Sequence, residues 1–72
     1  METTSNIKLQ TGYNCDTFFD KAEVTAHLNR LAEGLDVELS RVYLEMGPED
    51  EELWTVEVKA TKKDAKEFSA RL

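Results

Sequence analysis

Apolar and polar positions alternate at the start of the chain. Ile7, Leu9, Thr11 and Tyr13 are separated by Lys8, Gln10 and Gly12. A period of two predicts a strand. Gly12, Asn14 and Asp16 then supply the residue types of a turn. The period changes next. Val24, Leu28, Leu31 and Leu35 fall on one helical stripe. Asp20 and Glu23 have the spacing of a capping box, and Phe19 with Val24 that of a hydrophobic staple. With Gly34 as the stop, a helix is expected from about Lys21 to Glu33.

Period two returns at Val42, Leu44 and Met46, but Val37 and Leu39 have the opposite parity. Either a β-bulge absorbs that offset or the strand begins only near Ser40. Gly47-Pro48-Glu49-Asp50-Glu51-Glu52 reads as a loop, and Trp54, Val56, Val58 and Ala60 as a further strand. Two strands flanking a short loop predict an antiparallel hairpin. Thr61 is placed to cap a last helix, with Asp64 three residues on and Ala65, Phe68 and Leu72 as its apolar stripe.

The expected order is β-α-β-β-α, an α+β domain. A right-handed crossover between the first two strands leaves room for the third between them. The expectation is a three-stranded mixed sheet, the Trp54 strand central, with both helices packed on one face. Residues 1–6 would be a flexible N-terminal tail and residues 7–72 the single domain. The core would include Phe19, Val24, Leu28, Leu31, Val42, Leu44, Trp54, Val56, Val58 and Phe68. The open sheet face would carry Arg41, Tyr43, Glu45, Thr55, Glu57 and Lys59.

Composition narrows the functional classes. The chain has 72 residues, 9 basic and 15 acidic, for a net charge of −6. That balance disfavours direct binding to nucleic acid or an anionic membrane. The charge is uneven: residues 1–56 carry 4 basic and 12 acidic groups, whereas residues 57–72 carry 5 basic and 3 acidic. No apolar run approaches the ~20 residues of a transmembrane helix. The polar, acidic N-terminus has no signal-peptide pattern, and a lone cysteine, Cys15, builds no disulfide framework. These features predict a cytoplasmic protein. One histidine, His27, and one cysteine give no familiar metal set, nucleophile motif or phosphate-cradling glycine loop. No cofactor, metal or catalytic residue is therefore expected.

Lys62, Lys63 and Lys66 crowd the start of the last helix, where they oppose its dipole slightly. They read as exposed lysines paired with Asp64, Glu67 or the acidic loop, or else as an anionic contact at the helix start. The acidic run Glu49–Glu52 is the most conspicuous feature. It reads as a solvated loop or as a docking loop for a basic partner. The leading expectation is a non-enzymatic protein-binding module, a regulator or inhibitor that occupies a basic or nucleic-acid-binding protein, in one variant as a nucleic-acid mimic. Tyr43, Glu45, Glu49, Asp50, Glu51, Glu52 and Glu57 are the expected contact residues. The alternatives are a homodimer or larger homo-oligomer through sheet edges, and a small enzyme or ligand carrier using His27. The element order is similar to that of several small regulators, the damage-inducible RecA regulators among them. No residue motif accompanies that likeness, so it implies no function. Small acidic proteins without catalytic motifs are also frequent among phage-encoded inhibitors.

Overall fold

The computed structural model describes residues 3–72. The elements are β1 (Ser5–Asn14), α1 (Lys21–Leu31), β2 (Val37–Met46), β3 (Glu52–Ala60) and α2 (Lys62–Arg71). The sheet has the order β1-β3-β2, with β3 central as the crossover argument requires. Both neighbouring pairs are antiparallel. The sheet is therefore antiparallel throughout and not mixed. β1 and β2 do run in the same direction, but β3 lies between them and they never pair.

β1 starts earlier than its apolar pattern. Ser5 pairs with Ala60 and Asn6 with Lys59. These two residues belong to the ladder, and the expected tail is shortened accordingly; Met1 and Glu2 lie outside the described residues. The parity offset in β2 is a bulge. Leu39 faces Val58 and Arg41 faces Glu57, so Ser40 is the extra residue. The bulge keeps Val37, Leu39, Val42 and Leu44 on one face.

Both caps form as their spacing predicts. The Asp20 carboxylate accepts from the Glu23 backbone N–H at 2.9 Å, and the Thr61 hydroxyl accepts from Asp64 N–H at 3.2 Å. Each satisfies a backbone donor that has no partner inside its helix. α1 ends at Leu31 rather than Glu33. Its exit tightens into two turns, and Gly34 takes the left-handed conformation at φ 80°. Arg71 of α2 donates to the Leu31 and Glu33 carbonyls at 2.9 and 3.0 Å, satisfying acceptors the short helix leaves over.

Val24, Leu28, Ala65 and Phe68 from the helices meet Val42, Trp54, Val56, Val58 and Ala60 from one face of the sheet. Burying each large apolar side chain contributes about 1.5–3 kcal/mol. Leu31 and Leu44 pack at the margin of this core, half-buried. The phenylalanines exchange places relative to expectation. Phe19 is 84% exposed, and Phe18 packs against the core. The staple to Val24 therefore does not form.

Candidate docking surface at the acidic end

The register of β3 brings two loops to one end of the sheet. Asn14, the last residue of β1, faces Leu53, and Met46, the last of β2, faces Glu52. The β1–α1 loop and the β2–β3 hairpin loop leave the sheet side by side. They enclose an open groove of about 300 Å³ lined by Asn14, Cys15, Asp16, Met46, Asp50, Glu51 and Glu52.

Local bonds hold both loops. The Asn14 side-chain oxygen accepts from the Asp16 and Thr17 backbone N–H groups, each at 3.0 Å, an Asx turn. The Trp54 indole N–H donates to the Phe18 carbonyl at 2.9 Å, tying the loop to the central strand. In the hairpin, Gly47 N–H donates to the Glu51 carbonyl at 2.7 Å. A Cβ at Gly47 would stand 2.7 Å from Leu53 Cδ1, so a side chain here would oblige the Leu53 side chain to shift. Asp50 adopts a left-handed φ of 55°, which Asp tolerates better than most residues.

The electrostatics of this end are one-sided. Residues 9–20 and 42–58 contain no Lys or Arg. Among the described residues, Asp16, Asp20, Glu49, Asp50, Glu51 and Glu52 take part in no ion pair. Two large apolar side chains stand exposed at the same end, Phe19 and the 57% exposed Met46.

The open sheet face differs. Lys8 Nζ lies 2.7 Å from the Glu45 carboxylate, Arg41 lies 3.6 Å from Glu57, and the Arg41 guanidinium stacks 4.3 Å above the Tyr43 ring. These side chains cover Thr55, which is fully buried in mid-face. The Glu45 hydrogen bond raises the Lys8 pKa above its ordinary value. Tyr43 is also raised, first by desolvation and then by Glu57 beside its hydroxyl. The seven expected contact residues thus fall into two groups. Glu49, Asp50, Glu51 and Glu52 sit unpaired at the acidic end. Tyr43, Glu45 and Glu57 are engaged with the protein's own cations or with one another. Asp16 joins Asp50, Glu51 and Glu52 in the groove, and Cys15, Phe19 and Met46 join the acidic end without having been expected there. The signal that could have placed them is the register itself, since a central β3 puts both loops at the same end.

His27 is half-buried on α1. Its Nε2 lies 3.2 Å from the Tyr13 hydroxyl, which donates to the Leu72 carbonyl at 3.0 Å, and its ring packs on Phe18 with centroids 5.0 Å apart. Cys15 is exposed and unpaired. Among the described residues, no group of three or more His, Cys, Asp and Glu side chains is arranged to hold a metal ion, and no helix is long and apolar enough to cross a membrane. Comparison with protein-family models, curated proteins and solved structures gives no match.

Proposed function

We propose that the protein is a non-enzymatic binding module of the cytoplasm, a regulator or inhibitor that docks its acidic end on a basic surface of another protein. The observation that carries this reading is the junction of two cation-free loops, with Phe19 and Met46 exposed among six unpaired carboxylates. Carboxylates steer a basic partner and raise the rate of encounter. Exposed aromatic and Met side chains supply the apolar centre of such contacts. The ion pairs of the open face argue that any mimicry of nucleic acid is confined to the loop end. They also argue for Phe19 over Tyr43 as the anchor.

The test begins with capture of the partner from the source cell and proceeds to binding kinetics. Neutralising Asp16, Asp50, Glu51 and Glu52 to the amides is expected to lower the on-rate by about tenfold and flatten its salt dependence. Phe19→Ser is expected to raise the off-rate. Tyr43→Phe serves as the control and should leave both rates unchanged. Wild-type kinetics for the amide and Phe19 variants, with altered kinetics for Tyr43→Phe, would transfer the contact to the open face.

A further inference from the structure

The two outer strands present different edges. β2 carries Glu38, Arg41 and Glu45 and is broken by the Ser40 bulge. Charges and bulges on an edge strand discourage another strand from pairing there. β1 is less protected. From Ser5 to Gln10 its register to β3 is unbroken, and the segment contains no proline. Its one charge, Lys8, reaches across the face to Glu45. With β3 on one side only, the outer backbone groups of this segment have no strand partner among the described residues. Ile7 and Leu9, on this outer strand, pack against the core but stay half-buried.

We propose that this edge pairs with the same edge of a second copy, antiparallel, with Ile7 on the two-fold axis, to form a continuous six-stranded sheet. Identical strands related by a two-fold axis form a closed, self-complementary interface. Few registers qualify. Residues opposite one another must belong to the same face, which excludes pairing Ile7 with Lys8. An axis at Lys8 sets two ammonium groups across from each other, which is destabilising. An axis at Leu9 draws in residues 11–13, where the β1 ladder is irregular between Gln10 and Asn14. An axis at Ile7 stays on the regular ladder, places Lys8 opposite Asn6 of the second copy, and covers Ile7 with its own counterpart.

Charge favours the same arrangement. Each chain carries −6, yet residues 5–14 hold only Lys8. Antiparallel pairing about Ile7 separates the two Asn14 ends by 14 strand residues, roughly 46 Å. The acidic ends then lie several Debye lengths apart at physiological salt. Parallel pairing would bring them together.

Sedimentation equilibrium of the wild-type chain from micromolar to millimolar concentration is expected to give twice the chain mass. On a Cys15→Ser background, Ile7→Cys should oxidise to a disulfide-linked dimer, since opposite Cβ atoms lie about 5 Å apart. Lys8→Cys, which faces Asn6, and Ser40→Cys on β2 should not. Amide exchange in the wild-type protein gives a readout that needs no substitution. The outward amides of β1 should exchange roughly tenfold or more slowly than those of β2. A monomer at all concentrations would overturn the proposal, as would a dimer protected along β2 or one cross-linked through Ser40→Cys.

Discussion

The bond from the Trp54 indole to the Phe18 carbonyl decides which of two adjacent phenylalanines enters the core. It fixes the loop backbone so that the Phe18 ring lies edge-on to Tyr13, 5.2 Å between centroids, and its neighbour turns outward. Phe18→Ala should cost about 2 kcal/mol, below the range for fully buried Phe because Phe18 is half-exposed. Phe19→Ser should stay within about 0.5 kcal/mol of wild type. Urea midpoints check both. The exchange was not legible in the sequence. Cap spacing favours Phe19 locally, whereas the deciding donor lies 36 residues away. A second test concerns Lys8 and Tyr43, whose pKa values are both raised from their ordinary 10.5 and 10.0. The folded protein holds these protons more tightly than the unfolded chain. Their contribution is therefore complete below the ordinary values and is lost as pH rises through the raised ones. Stability measured from neutrality to about pH 11 should fall at the alkaline end. The pair of substitutions Lys8→Met and Tyr43→Phe should flatten that fall.

At the scale of elements, the bulge in β2 was legible as a parity conflict. Val37 and Leu39 share a face with Val42 and Leu44 only if one residue between them is left out of the ladder. Deleting Ser40 restores strict alternation along the strand. The shortened protein should keep its fold, with a urea midpoint near that of wild type. It should also gain a straight second edge, and light scattering should then report species larger than those of wild type. Unfolding on deletion would place the bulge among the requirements of the fold. Both helix starts were legible because caps are local chemistry. The first residues of β1 were not, since Ser5 and Asn6 carry no apolar signal and join the strand only through Ala60 and Lys59.

Taken whole, the molecule measures 39 × 23 × 19 Å and gathers six of its unpaired carboxylates at one end. The acidic hairpin loop was legible as composition. Its union with Asp16, Phe19 and Met46 required the pairing of strands far apart in sequence. The neutrality of the open face also depended on geometry, because Lys8 and Glu45 are 37 positions apart. The central place of β3 has a further consequence, for biosynthesis. β1 is made first, yet its ladder partners run from Leu53 to Ala60. Loop closure over that span must precede any stabilising contact within the sheet's first ladder. β1 therefore leaves the ribosome before the strand it pairs with and waits for β3. Once β3 has been made, its ladder with β2 closes over a far shorter loop than its ladder with β1, so β1 is expected to be sewn in last.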